Sequence, residues 1–387
     1  MPVPNLALVG KHTLAAAGAA ALAVLLATSP VSAAGFPIDE ARGGIPTLAP
    51  LIEKVTPGVV NISVEGTVRQ QQQNPLMQDP FFRRFFPDGA QGQPQTRQRP
   101  FQSAGSGVVV DARNGYLLTN AHVVADADRI GVTLTDGRQI DAKLVGTDPE
   151  TDIAVLKVDA NNLTAVPLGT SGSLKVGDFV IAVGNPFGLG QTVTSGIVSA
   201  LGRGGLNIEG YEDFIQTDAS INPGNAGGAL LDLNGRLIGI NTAILGTGGN
   251  IGIGFAVSID MARAVMTQII EFGEVQRGRL GVEVADVTAP VIRELSLDRP
   301  PGRGSVVMGV EPGSSAERAG LKRGDIITRL NGTDVRDTRD LRNRLALIRR
   351  GEQVEVTYAR GDRSQTARLQ LAAEPTPPRT TPAANGR

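Results

Sequence analysis

Short apolar runs, rich in valine and isoleucine and cut by glycine, asparagine and aspartate, follow one another from Val59 onward. Residues 108–110, 116–118, 130–134, 153–158, 179–183, 237–240 and 254–257 each read as a strand bounded by turn signals. Many short strands at close spacing, with no long helices between them, call for a closed barrel or a sandwich rather than a parallel α/β sheet. The expected fold class is therefore mainly β. The composition agrees, since 49 glycines supply turns and only 19% of residues are charged. A chain of 387 residues has room for two or three domains.

Two stretches break the rhythm. Glutamines 70–73 lead through PFFRRFFP into a Gly/Gln/Pro-rich segment ending near Arg99. A loop of that length carrying phenylalanines either serves a partner or folds back on its own domain. Near Asp260 the period changes from two to helical, with Met261, Val265, Ile269 and Ile270 on one side and Gly273 as the stop. Residues 274–278 then read as a polar hinge, and 279–371 as a separate domain with an amphipathic helix near 337–349. Residues 374–387, rich in Pro, Thr and Ala, read as a disordered tail.

The start of the chain reads as an export signal over residues 1–34, followed by a short segment, 35–48. Lys11 and His12 precede the apolar run 14–27, and Val31 with Ala33, or Ser32 with Ala34, fits the small-x-small cleavage pattern. The alternative is an uncleaved anchor, but the run is shorter than the ~20 residues that span a bilayer. The formal net charge of −1 gives no electrostatic case for nucleic acid or an anionic membrane as partner. The chain has no cysteine, which excludes disulfides, thiolate zinc sites and a cysteine nucleophile. Nothing calls for a metal or an organic cofactor. Of two histidines, His12 falls in the export segment, so imidazole chemistry in the mature chain rests on His122.

His122 closes the strand-like run LLTNAHVV, where a lone histidine is as readily structural as catalytic. Asp152, in DPETDIAVLKV, is a carboxylate at the mouth of a run otherwise built for burial. It either caps a turn or orients an imidazole, the third role in a Ser-His-Asp triad. The turn GNAGG, residues 224–228, can be an ordinary glycine loop. It can also be one whose backbone N–H groups converge on an oxyanion. The chain order of histidine, aspartate and glycine turn is that of chymotrypsin-type barrels.

Together TNAHVV, DPETDIAVLKV, GNPFGLGQTVTSGIVSA and PGNAGGALLDLNGRLIGINTAI resemble the HtrA/Deg family of serine proteases, its DegP/DegQ-like members above all. The likeness runs from about Ala49 to Leu371. It implies a trypsin-like double β-barrel over 49–273, with a long regulatory loop at about 66–103 that reaches a neighbouring subunit. His122 matches the general base, Asp152 its orienting carboxylate, and Ala226 stands at the nucleophilic serine's position. Gly224 and Ala226 match the oxyanion-hole donors, and Ile221 and Ile244 a pocket for small aliphatic side chains. The resemblance further implies a periplasmic, ATP-independent endopeptidase and chaperone of protein quality control, acting on unfolded or misfolded polypeptides as a homotrimer or higher homo-oligomer.

Alanine cannot attack a carbonyl, and Ser220 would have to displace the whole turn to meet His122. One change in an otherwise complete site favours a substituted form of an active protease. A natural pseudoprotease acting as a holdase or peptide sensor is the alternative, and both predict the same inert residue 226. Farther on, RGRLGVEV and VEPGSSAERAGLKRGDII resemble a PDZ domain. That likeness implies a groove for C-terminal peptides whose carboxylate meets backbone N–H groups of Arg279, Leu280, Gly281 and Val282. Only one such module fits before the tail, which places assemblies relying on a second one in doubt.

Overall fold

The structure, a computed structural model, describes residues 38–39, 45–71, 96–186, 190–203, 211, 213–222, 224–242, 252–298 and 300–373. The export segment, the phenylalanine cluster, Ile244 and the tail lie outside the described residues. Ahead of the barrels, Ile38–Asp39 pairs antiparallel with Ile45–Pro46.

Six strands close the first barrel: β1 (Val59–Gln71), β2 (Thr96–Asp111), β3 (Tyr116–Thr119), β4 (Ala127–Thr133), β5 (Gln139–Asp148) and β6 (Ile153–Val158). Their order around the barrel is β1-β2-β3-β6-β5-β4. Alternation along β1 sends Val60, Ile62 and Val64 inward to meet Leu117, Val132 and Leu156. Each such fully buried side chain contributes about 1.5–3 kcal/mol. The long segment after Gly66 begins and ends as an antiparallel hairpin, because β1 and β2 stay in register out to Gln71 opposite Thr96.

The second barrel closes from β7 (Phe179–Gly184), β8 (Thr192–Arg203), β9 (Phe214–Thr217), β10 (Ala229–Leu231), β11 (Leu237–Thr242) and β12 (Gly254–Ser258). Their order is β8-β9-β12-β11-β10-β7. Val180, Ala182, Val198, Ile215, Leu230 and Ile238 fill it. Asn61, on the outward side of β1, joins the barrels by donating its Nδ2 to the Asn185 carbonyl at 3.0 Å.

Helix α1 (Ile259–Phe272) leaves β12 with Ser258 as cap, its hydroxyl accepting the Met261 N–H at 3.4 Å. Gly273 stops it at φ 79°, a left-handed cap that glycine adopts without a Cβ penalty. Helix α1 lies against the first barrel, where a Cβ on Gly146 would meet the Gly273 carbonyl and Ile269.

The remaining strands are β13 (Gly278–Arg279), β14 (Val282–Asp286), β15 (Ser305–Val310), β16 (Ile326–Leu330), β17 (Thr333–Asp334), β18 (Gln353–Arg360), β19 (Arg363–Gln370) and β20 (Ala372–Ala373). Among them run helices α2 (Ala289–Glu294), α3 (Ser315–Arg318) and α4 (Thr338–Ala346). The main sheet has the order β14-β15-β16-β18-β19, which leaves β14 as an edge, while β13 pairs with β20. Asp337 caps α4 by accepting the Asp340 N–H at 2.8 Å.

Asp340 is 7% exposed and accepts from the Arg336 N–H and the Arg344 guanidinium, both at 2.9 Å. Burial works against its charge, but the Arg336 N–H and the two guanidinium groups outweigh it and hold its pKa below the ordinary aspartate value. A depressed folded-state pKa means the stabilisation is present above the unfolded-state value of about 3.9 and is lost as pH falls toward the folded one. Urea unfolding between about pH 6 and 3 is expected to show a flatter acid limb for Asp340→Asn than for the parent, from a lower start at neutral pH. Identical acid limbs would remove Asp340 from the account.

Candidate active site

The register Thr119↔Ala154 between β3 and β6 sets residues 120–122, after one strand, beside Asp152, before the other. His122 Nδ1 lies 2.9 and 2.8 Å from the two Asp152 carboxylate oxygens, and the His122 backbone N–H donates to Oδ1 at 3.0 Å. A carboxylate only accepts, so Nδ1 carries the proton and Nε2 is left as the basic nitrogen. Thr242, at the end of β11 in the other barrel, donates its hydroxyl to Asp152 Oδ2 at 2.7 Å. The His122 side chain is 47% exposed and that of Asp152 only 19%, so the imidazole faces the solvent side and the carboxylate is shielded behind it.

Asp152 pays for its position with a left-handed backbone at φ 56°. Two donors to its carbonyl hold it there, the Ala121 N–H and the Asn120 Nδ2, each at 3.1 Å. The imidazole, Asp152 and Leu144 also line a cleft of about 470 Å³ with Ala121, Val124 and Pro149.

The glycine turn is clamped from both barrels. Ser106 on β2 donates its hydroxyl to the Gly224 carbonyl at 2.6 Å and its N–H to the Ala226 carbonyl at 2.9 Å. Its hydroxyl also accepts the Asn185 N–H at 2.8 Å, and its carbonyl accepts the Thr119 hydroxyl at 2.7 Å. Gly227, at φ 79°, fits where a Cβ would collide with the Ser106 carbonyl and Thr119 Oγ1. Its N–H donates to the Asn241 carbonyl at 2.8 Å, one residue before Thr242. The turn and the His122–Asp152 pair are thereby tied through adjacent residues of β11.

The Asn225 carbonyl accepts the Gly228 N–H at 3.0 Å. The Ala226 N–H shares that peptide plane and points the opposite way. Neither the Gly224 nor the Ala226 N–H has an acceptor among the described residues. Ile221 is 7% exposed and packs in the second-barrel core, with β12 so close that a Cβ on Gly254 would meet its side chain. Thr242 and Ser106 carry no mark in the sequence, since each acts across a gap that only the closed barrels create.

A second concavity, of about 1040 Å³, lies along the free edge of β14. The Leu280 carbonyl accepts the Ala316 N–H at 3.0 Å and the Gly281 carbonyl the Glu311 N–H at 2.9 Å. The N–H groups of Leu280 and Gly281 have no acceptor among the described residues. Gly281 sits at φ 77° where a Cβ would strike Ser314. Arg279 is engaged with Glu311 at 2.6 Å, and Val282 begins β14.

Pro149 and Glu150, next to the Asp152 turn, line the same concavity. They stand beside Arg277, whose guanidinium pairs with buried Asp148 and lies 4.6 Å over the Tyr211 ring. Burial works against the Arg277 charge, but Asp148 and Glu150 overcome it and hold its pKa above the ordinary arginine value.

Residues 105–240 match the trypsin-like peptidase domain model and residues 278–371 the PDZ domain model. The periplasmic pH-dependent serine endoprotease DegQ of Escherichia coli is 51% identical over 318 residues, covering 82% of this chain and 68% of its own length. The periplasmic serine endoprotease DegP of Salmonella typhimurium is 46% identical over 382 residues, with 93% and 80% covered. Among solved structures, the HtrA-type protease AlgW with a decapeptide superposes at a TM-score of 0.65 and 46% identity, covering 86% of this chain and 100% of its own. A serine-to-alanine form of AlgW with a decapeptide reaches 0.69 at 46% identity, covering 87% and 100%.

Ser106→Ala is expected to cost about 1–3 kcal/mol in urea unfolding, because it strands the buried Asn185 N–H and removes the donor to the Gly224 carbonyl. An unchanged midpoint would mean that the turn is held without Ser106.

Proposed function

Since the chain belongs to the HtrA/Deg family of trypsin-like proteases bearing a PDZ domain, we propose that it is the scaffold of a serine endopeptidase whose nucleophile position is occupied by Ala226. The observation that carries this reading is the imidazole held by Asp152, itself bonded by Thr242, together with a turn in which two N–H groups have no acceptor among the described residues. In the reaction of a serine at 226, His122 Nε2 takes the hydroxyl proton as the oxygen attacks the substrate carbonyl, then returns it to the leaving amine. Asp152 holds the imidazolium that forms. The N–H groups of Gly224 and Ala226 receive the oxyanion, and Ile221 belongs to the pocket that takes a small aliphatic side chain, to which the family resemblance adds Ile244.

With alanine at 226 no acyl-enzyme forms, and the chain holds polypeptide without cutting it. Losing a nucleophilic serine costs on the order of 10⁶ in turnover. A serine-to-alanine form of AlgW with a decapeptide is among the similar solved structures and supports the peptide-holding part of this reading. In this reading the chain is exported and works in the periplasm as a homotrimer or higher homo-oligomer on unfolded proteins; similarity to periplasmic endoproteases and the export-like N-terminus support the location. The alternative reading, a pseudoprotease serving as a holdase, draws on Ala226 itself.

The test is Ala226→Ser in the full chain, assayed on unfolded casein. Hydrolysis rising by several orders of magnitude, and falling about 10⁴-fold again when Asp152→Asn is added, is the expected outcome. A folded but inert revertant would hand the reading to the pseudoprotease.

The groove beside Leu280 and Gly281 takes the C-terminal carboxylate of a peptide that adds as a strand to β14. A peptide ending in an aliphatic residue is expected to bind the full chain, and its C-terminal amide to lose that binding. Equal affinity for acid and amide would sink the assignment.

A further inference from the structure

We propose that Arg342 makes this groove selective for peptides carrying an acidic side chain two residues before their C-terminus. The inference rests on the reading of the groove as a carboxylate-capturing strand-addition site.

The direction of α4 along the groove is fixed at both ends. The Thr338 N–H donates to Asp286 Oδ1 at 2.8 Å, at the far end of β14. At the other end the Gly278 N–H donates to the Ile348 carbonyl at 3.3 Å, beside the Leu280–Gly281 turn. Helix and strand therefore run antiparallel, and the last turn of α4 adjoins the free N–H groups. A peptide whose carboxylate sits on those groups places its final side chain against Leu280 and Leu345. From Leu345 back to Leu341 is about 6 Å along the helix, at ~1.5 Å per residue. Two residues of extended peptide advance about 6.6 Å, and side chains two apart share a face. The third residue from the peptide's end thus meets the turn that holds Leu341 and Arg342.

On that turn the free charge is arginine. Within α4, Arg344 is engaged by Asp340 and Arg339 donates to the Gly202 carbonyl, whereas Arg342 has no acceptor among the described residues. Arg342 is exposed and lines the groove. The groove's acids do not neutralise it. Glu311 is engaged by Arg279, Glu150 stands 3.6 Å from Arg277, and Glu283 lies beside Gly309. Val282 and Val284 pack against the core, so alternation sends Glu283 to the other face of β14. A guanidinium beside Leu341 and Leu345, with no partner among the described residues, fits a carboxylate, which it can grip through two parallel N–H donors.

The test uses the full chain and fluorescently labelled decapeptides ending in Asp-Ala-Val, Asn-Ala-Val or Lys-Ala-Val, with the amidated form of the first as control. At about 0.1 M salt the aspartate peptide is expected to bind roughly three- to tenfold more tightly than the asparagine one, a margin that shrinks at higher salt. Arg342→Glu should abolish that margin and favour the lysine peptide instead. Equal binding of the aspartate and asparagine peptides, with the amide still rejected, overturns the role of Arg342 and leaves the carboxylate site standing. An aspartate preference that survives Arg342→Glu overturns it too. Indifference to amidation overturns both.

Discussion

The hydrogen bond from Thr242 to Asp152 joins a hydroxyl on one closed barrel to a carboxylate on the other. Everything chemical in the cleft depends on the two barrels keeping that distance. Closing each sheet into a barrel leaves no strand edge to satisfy. Closure leaves the orientation of one barrel against the next to helix α1, which continues from β12 and packs on the first barrel, and to the groups between them. A few polar contacts do this: Asn61 to Asn185, Ser106 to Gly224 and Ala226, and Thr242 to Asp152. A hydrogen bond to a charged group is worth about 1.5–3 kcal/mol, which is small beside the barrel cores. Each such bond is small against the barrels' burial energy, yet together they set the geometry between the barrels.

The same logic governs the junction with the C-terminal module. Asp148 and Arg277 are 4% and 7% exposed, and a buried pair recovers its desolvation cost only through good geometry and further partners. Here Thr151 donates its hydroxyl to Asp148, the Tyr211 ring lies against the guanidinium and Glu150 stands 3.6 Å from it. Removing one member would cost about 3–5 kcal/mol, although the pair itself contributes little net stability. Its consequence is positional. Pro149 and Glu150 are held against the peptide groove while Asp152, two residues on, holds His122. One short segment of chain thus faces both concavities.

Much of this was legible in advance, for reasons that differ by element. The strands at 116–118, 153–158 and 237–240 announced themselves because β-branched burial leaves a pattern in one dimension. Helix α1 carried its stop in Gly273, and α4 its cap in Asp337. The hairpin from Gly66 to Gln71 did not show, because Gln70 and Gln71 pair through backbone groups that no side-chain period reports. Residues 274–278 read as a polar hinge. In the fold the Gln276 N–H is held by the Gln268 side chain, and Arg277 is buried on an acid far away in sequence. His122 and Asp152 stood out by their neighbours, whereas Thr242 and Ser106 are small hydroxyl residues like many others until the barrels bring them to the site.

The side chain of residue 226 takes no part in the clamp around its own turn. Ser106 grips the Ala226 carbonyl, Asn241 grips Gly227, and Asn225 grips Gly228, Asn222 and Ser220. Gly227 and Gly228 are required by collisions that involve Ser106, Thr119 and the Val183 carbonyl, not by anything at 226. The turn therefore holds its shape whether a methyl or a hydroxymethyl group sits in the middle. Donors on a frame fixed by such contacts are preorganised, and preorganised donors need no rearrangement when charge develops.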